Sequence, residues 1–337
     1  MRPKFWDGVD IPFIGPYLES VSMPALFLIL ACALWGVSFP VVKALHLDQT
    51  ARIPGASSEF LAAWMQVARF GLAALILLPF VVRLKFTRRE IRQGLLLALW
   101  GGLGMGIQAD GLAYTPASTS AFLTQAYCVI LPLWACFRLR SLPTTRVVVA
   151  TLLVMIGGAI LSGIRPGDLR PGRGELETLL SAVLFTFQIL NLEHPKYEGN
   201  RSMPVTFLMC LGIAVLYTPV SLLLAPSRDA VLTAGASWPT MAFVSILALF
   251  CSVGAYLLMN HYQRKVSATE AGLIYTTEPV FTAVYALFLP AFFARLCGFS
   301  YPNETLTPPI LIGGLLILSA NVLMQWKTSA QRIAPGT

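Results

Sequence analysis

ATEAGLIYTTEPVFTAVYALFLPA, residues 268–291, is an apolar run with a carboxylate, Glu278, set inside it. A helix needs roughly 20 apolar residues to cross the hydrocarbon core of a bilayer. Glu278 lies about ten residues in, near mid-depth at 1.5 Å per residue. A charge held there is costly, which marks it as a functional candidate. Pro279 follows it. Without an N–H it cannot pair with the Tyr275 carbonyl, and its ring clashes there, so an acceptor is freed one turn from the carboxylate. A carboxylate beside a loose carbonyl suits a proton, a cation or a substrate amine. The plainer reading is a hydrogen-bonded glutamate bracing a kinked helix.

Similar runs lie near 25–45, 61–82, 94–112, 118–137, 147–164, 175–192, 203–224, 239–260 and 308–326, making ten in all. The chain of 337 residues is 56% hydrophobic and only 12% charged. Soluble domains carry about 25% charged residues, so too little polar surface is left to cover a water-soluble globule. The fold expected is an all-α integral membrane protein. The net charge of +8 does not indicate nucleic acid, because the charges fall in short loops between apolar runs. Cys32, Cys128, Cys136, Cys210 and Cys251 sit within those runs and Cys297 in a loop. That pattern offers neither a disulfide framework nor a CxxC metal spacing. Ala31-Cys32-Ala33 faintly resembles a signal cleavage site, but its apolar run continues to about Leu45, too long for a signal peptide. It reads as a retained first span, with residues 1–22 as a cytoplasmic extension.

Orientation follows from where Lys and Arg fall. With the N-terminus inside, sixteen lie in cytoplasmic segments and six in external ones, leaving Lys43 and Arg69 within spans. Both termini are therefore expected in the cytoplasm and the chain in the cytoplasmic (inner) membrane. The loop 165–174, with three arginines outside, runs against the trend. The Asn200 and Asn303 sequons fall on opposite sides and do not discriminate.

That loop is also the midpoint of a weak repeat. Ala117 aligns with Ala268 and Val129 with Val280, an offset of 151, while Ile156-Gly157-Gly158 aligns with Ile312-Gly313-Gly314, an offset of 156. Extra residues before the last span account for the drift. Five spans per half is an odd number, so ten transmembrane helices form two inverted five-helix repeats, 23–164 and 175–326, followed by a cytoplasmic tail, 327–337. Secondary transporters use this arrangement to expose one central site alternately to either side.

Three stretches carry a family resemblance. Leu34-Trp35-Gly36-Val37-Ser38-Phe39 looks like an opening leucine-tryptophan-glycine motif, and Glu278-Pro279-Val280-Phe281 like a glutamate-proline-valine motif. Glu304-Thr305-Leu306-Thr307, with Ile312-Gly313-Gly314, resembles an acidic turn before a glycine-rich last helix. In this order the chain resembles the EamA-type permeases of the drug/metabolite transporter superfamily. It departs from the pattern at Tyr127-Cys128, at Arg140, where an acidic residue is frequent, and in a longer 292–307 loop. The resemblance implies a pathway lined by helices of both halves, with the fifth and tenth more peripheral.

A cavity for a small amphipathic solute needs aromatic walls and a few placed polar groups. Trp35, Ser38, Trp64, Gln66, Gln108, Gln125, Tyr127, Gln188, Asn191, Tyr256 and Tyr275 are the polar or aromatic residues within spans that could supply them. Trp35, Tyr127, Gln188 and Tyr275 are favoured with Glu278 as substrate-binding, because the first, fourth, sixth and ninth spans are paired by the repeat. The competing account is packing and amide glue between helices. Lys43, Arg69 and Asp110 are placed toward the outer ends of the first three spans, as a gate or charge pair. Pro40 and Pro132 add kinks, and Gly101, Gly102, Gly104 and Gly106 suggest close helix contact.

No nucleotide-binding loop or HExxH is present. The expectation is a transporter and not an enzyme, without cofactor or metal. It would move an amino acid or related metabolite, most simply outward. The partners expected are a small-molecule substrate and the lipid bilayer, not nucleic acid; a coupling proton or counter-substrate and a homodimer are compatible with this. A nucleotide-sugar, drug or lipid-linked substrate carrier is the alternative within the fold. A channel or a membrane-embedded enzyme lies further off.

Overall fold

The computed structural model describes residues 23–115, 117–161 and 172–325. The expected extension 1–22, loop residues 165–171, Pro116 and the tail 327–337 lie outside the described residues, with the charges they carry. Every regular element among the described residues is helical.

The first apolar run is two helices, α1 (Met23–Gly36) and α2 (Ser38–Arg52), hinged at Val37. Pro40 explains the hinge, since it leaves the Gly36 carbonyl without its helical donor. α3 (Ser58–Val81) is capped by Ser57, whose hydroxyl accepts from the Phe60 amide. α4 (Arg88–Gly111) opens with a capping box between Thr87 and Glu90. α5 (Ala117–Thr124), α6 (Tyr127–Leu139) and α7 (Thr145–Leu161) complete the first half.

The second half holds α8 (Arg173–Glu193), α9 (Ser202–Leu224), the short α10 (Arg228–Thr233) and α11 (Trp238–Ile246). A π-helical segment, Leu247–Gly254, joins α11 to α12 (Ala255–Tyr262). α13 (Ala268–Tyr275), α14 (Glu278–Ala286) and α15 (Leu289–Cys297) follow, then α16 (Pro308–Gln325). α15 bends 51° from the preceding pair and ends at Gly298, whose φ of 80° suits glycine. The 299–307 segment returns along it, with the Glu304 amide donating to the Ala286 carbonyl.

Among the described residues, six helices are long and apolar enough to cross a membrane: Met23–Arg52, Ser58–Val81, Ser120–Arg138, Arg173–Glu193, Ser202–Leu224 and Trp238–Lys265. Counting the bent α13–α15 unit makes seven. α4 is less apolar, because its glycines and terminal charges dilute it. The apolar stretches Thr145–Ile160 and Pro308–Leu323 are short. Leu75, Val215, Leu223 and Leu315 point outward, as a lipid-facing surface requires. This is a multi-pass membrane protein.

Helices of the two halves pack on one another: α3 on α9, α7 on α16, α4 on α8, and α1 on α12. The α4 glycines make this close. Gly101 and Gly104 face Gln188 and Phe185 of α8, while Gly102 and Gly106 face Ile213 and Tyr217 of α9. Two rows of missing Cβ atoms thus seat two neighbours, the packing expected of small residues. Gly157 of α7 likewise meets the Gly313 carbonyl of α16.

Candidate functional site

Two helix breaks open the centre of the bundle. α5 stops at Thr124 and α6 starts at Tyr127; α13 stops at Tyr275 and α14 starts at Glu278. The breaks stand 151 residues apart, the offset of the sequence repeat. At the second, the Thr276 and Thr277 hydroxyls donate to the Leu273 and Ile274 carbonyls at 2.6 and 2.8 Å. The same two carbonyls also accept the Thr276 and Thr277 amides, at 3.2 and 3.0 Å, so the break is closed by tight turns. Glu278 begins α14, where the amide ends of the helix favour a negative charge.

The breaks and the α1–α2 hinge surround a cavity with about 640 Å³ of empty space, its mouth included. Trp35, Tyr127, Gln188, Tyr275 and Glu278, favoured from sequence, all line it. Ser38, Gln108 and Tyr256 from the wider set line it too, while Trp64, Gln66, Gln125 and Asn191 are not among its lining residues. Instead, the Trp64 indole donates to the Val231 carbonyl and the Gln125 amide to the Ala121 carbonyl. Phe39, Met105, Thr124, Phe185, Ile189 and Met259 complete the wall without having been singled out. Their apolar or hydroxyl side chains carry no signal that separates cavity lining from core.

The aromatic wall is tied together. Trp35 lies 5.3 Å from Tyr256 and 5.5 Å from Tyr275, centroid to centroid. The Tyr275 hydroxyl donates to Gln263 Oε1, whose Nε2 donates to the Ile189 carbonyl, each at 2.8 Å. These contacts fix the rings. The Trp35 indole N–H, by contrast, is buried without a partner among the described residues. Gln108 donates to Thr124 at 2.6 Å. Among the described residues Gln188 reaches only the weak acceptor Met209 Sδ, at 3.9 Å.

Arg69 departs from the outer-end position expected of it. It is buried and lines the cavity. α3 begins at Ser58, before the apolar run that sequence reads, so Arg69 sits near the middle of the helix. Its Nε donates to Ser252 Oγ at 2.7 Å and its Nη2 to the Cys251 carbonyl at 3.1 Å, both on the π-helical segment. A widened helical turn exposes backbone acceptors and recurs at functional sites. Arg69 and Glu278 share the cavity without an ion pair between them among the described residues.

Lys43, Arg69 and Asp110 are not paired with one another among the described residues. Asp110 pairs with Arg173 at 2.5 Å, and Arg173 also holds Glu59 and Glu177, each at 2.7 Å. The hub joins α3, α4 and α8 at one end of the bundle because the end of α4 meets the start of α8. Lys43 is exposed, 5.9 Å from the Tyr301 ring centroid. At the opposite end, Arg201 grips the buried Glu90 at 2.7 and 3.0 Å. Glu90 precedes the apolar part of α4, and this guanidinium holds its carboxyl far below the usual carboxylate range, at about 2. Among the described residues no three His, Cys, Asp or Glu side chains are grouped to hold a metal ion, and the described cysteines are free thiols.

A model of the EamA-like transporter family matches residues 22–163. A protein of Archaeoglobus fulgidus described as an uncharacterized transporter is 26% identical over 299 residues, covering 89% of this chain and 84% of its own. A crystal structure of another protein superposes with a TM-score of 0.62 at 17% identity, covering 89% of this chain and 95% of the other. That last likeness speaks to the fold alone.

Proposed function

We propose that this chain is an EamA-type permease of the drug/metabolite transporter superfamily, in keeping with its likeness to that family and to an uncharacterized transporter, and that it exports an amino acid or related zwitterion by alternating access. It is a membrane transporter; the substrate class, direction and mechanism are the proposal. The observation that carries it is the central cavity with a carboxyl and a guanidinium on its wall. Glu278 faces it with no hydrogen bond to its carboxylate among the described residues, and Arg69 keeps Nη1 uncommitted. A carboxylate can take an ammonium and a guanidinium a carboxylate, while Trp35 and the tyrosines cover the apolar body. An acidic and a basic group held apart on an otherwise largely apolar and aromatic wall suit a solute that carries both charges.

In this reading the chain has ten spans in two inverted repeats, in the cytoplasmic membrane with both termini inside. The packing supports it. If α1–α2 corresponds to α8, α3 to α9, α4 to α11–α12 and α7 to α16, exchanging the halves turns the α4–α8 contact into the α12–α1 contact. The same exchange returns α3–α9 and α7–α16 to themselves. The equal positions of the two central breaks support it as well. Two such halves can rock about the shared site, and the Arg173 hub then closes one end in one of the two states.

Ligand binding to the native state raises its stability by mass action. Titration of the purified protein with amino acids, amines, sugars and nucleotide sugars should raise the melting temperature for amino acids, and Glu278→Gln should abolish that rise. A rise with nucleotide sugars alone, or one indifferent to Glu278→Gln, overturns the assignment.

A further inference from the structure

Away from the central cavity, a groove of about 1360 Å³, open to its surroundings, lies where α9 begins and α12 ends. Met203, Leu257 and Leu258 form its apolar part, and His261, Arg264 and Lys265 stand at its polar rim. Tyr262 is held in its wall by stacking on Phe27, with ring centroids 4.2 Å apart. The position is the end of the 28-residue Trp238–Lys265 helix. A helix that long reaches the headgroup layer, whichever side of the membrane it ends on.

The rim is built and unevenly charged. Lys265 Nζ stands 4.7 Å over the Tyr262 ring and 3.2 Å from His261 Nε2. Arg264 is fixed by the Asn260 carbonyl at 2.7 Å, by the Asn200 carbonyl and by Ser202 Oγ. Among the described residues neither Lys265 nor Arg264 has a carboxylate within ion-pair distance. Arg201, also at the groove, is neutralised by Glu90, which leaves Glu198 as the acid lining it. Two cations face one acid, above an apolar channel running back along the helix.

We propose that this groove binds an anionic phospholipid, its phosphate diester at Lys265 and Arg264 and an acyl chain along Leu257, Leu258 and Met203. Charge complementarity selects the headgroup. Basic side chains at a membrane surface attract anionic lipid by an amount that, for each cation, corresponds to roughly a fivefold change in affinity. The apolar channel distinguishes a lipid from a free phosphate ion, which has nothing to place there. The site depends on the groove and not on what the central cavity carries.

The test is thermal unfolding of the full chain in a non-ionic detergent, titrated with phosphatidylglycerol, phosphatidylcholine or inorganic phosphate. Phosphatidylglycerol should stabilise the protein at lower concentration than phosphatidylcholine, and inorganic phosphate should give no shift. Lys265→Ala should raise the half-saturating phosphatidylglycerol concentration roughly fivefold, leaving phosphatidylcholine unchanged. Lys265→Gln, which keeps most of the stem, replaces it if the alanine variant does not fold. Arg92→Ala, outside the groove, should retain the full preference. Equal shifts with the two lipids, a preference that survives loss of Lys265, an equal loss in Arg92→Ala, or a phosphate shift matching the lipid's would each overturn the proposal.

Discussion

Gly101→Ala and Gly106→Ala each add one methyl to α4, five residues apart, and the structure separates their costs. A Cβ at Gly106 would overlap the hydroxyl and ring of Tyr217. Tyr217 is buried, and its hydroxyl donates to the Gly102 carbonyl at 3.0 Å. Relief requires α4 and α9 to separate or that bond to break. Overpacking costs roughly 1–3 kcal/mol, and the lost hydrogen bond about 1 more. Alanine's better helix propensity returns roughly 1 kcal/mol, so Gly106→Ala should destabilise by roughly 1–3 kcal/mol. At Gly101 the Cβ would stand 2.5 Å from Gln188 Nε2, the far end of a flexible side chain. That end is anchored only to Met209 Sδ and has the cavity beside it. Swinging it aside costs about what the propensity gain of roughly 1 kcal/mol restores, so Gly101→Ala should be near neutral in stability. It should instead weaken ligand binding, because Gln188 leaves its place on the wall. Unfolding in detergent can be followed by a thiol-reactive fluorophore that reports exposure of the buried Cys128, Cys210 and Cys251. Equal losses for the two variants, or a larger loss at Gly101, would refute this reading of the α4 contacts.

Two further outcomes follow from the charged residues. Arg69→Lys keeps the charge, but a point ammonium cannot reproduce the guanidinium fork on Ser252 and Cys251. Ligands bearing a carboxylate should lose roughly tenfold in affinity, a change of about 1.4 kcal/mol, while amines without one should not, as competition binding would show; an equal loss for both contradicts the role given to Arg69. Glu90→Gln breaks the Arg201 contact. The folded carboxyl titrates at about 2, below its unfolded value near 4.3. Its contribution is therefore complete above the unfolded value and disappears as pH falls toward 2. Wild type should melt above Glu90→Gln at pH 7 and the gap should close near pH 2; a gap constant with pH contradicts the pairing.

Much of this was legible in the sequence, for reasons visible residue by residue. Apolar runs mark helices because lipid leaves the backbone no other partner. Pro279 announced the break before α14, and Pro40 the hinge at Val37. Trp35, Tyr127, Gln188, Tyr275 and Glu278 stand out because polar and aromatic groups within spans need a reason to be there, and the structure gathers them around one cavity. Their role in binding is what Glu278→Gln and Gly101→Ala address. Helix starts were less legible. Ser57 and the Thr87–Glu90 box begin α3 and α4 before the apolar runs do, and the first of these shifts is why Arg69 seemed peripheral. The π-helical segment carries no proline to signal it. Its Cys251 and Ser252 partners lie more than 180 residues from Arg69. Asp110 and Arg173 are 63 residues apart, and spacing along the chain holds no information about such contacts.

The most direct test of the central claim, that the cavity around Glu278 carries the solute, is counterflow in liposomes reconstituted with wild type or Glu278→Gln. Vesicles loaded with an unlabelled mixture of L-amino acids are diluted into the same mixture carrying a radiolabel. Wild type should accumulate label transiently and saturably, and Glu278→Gln, inserted to the same level, should not. Uptake without saturation, or counterflow undiminished in Glu278→Gln, would contradict the account.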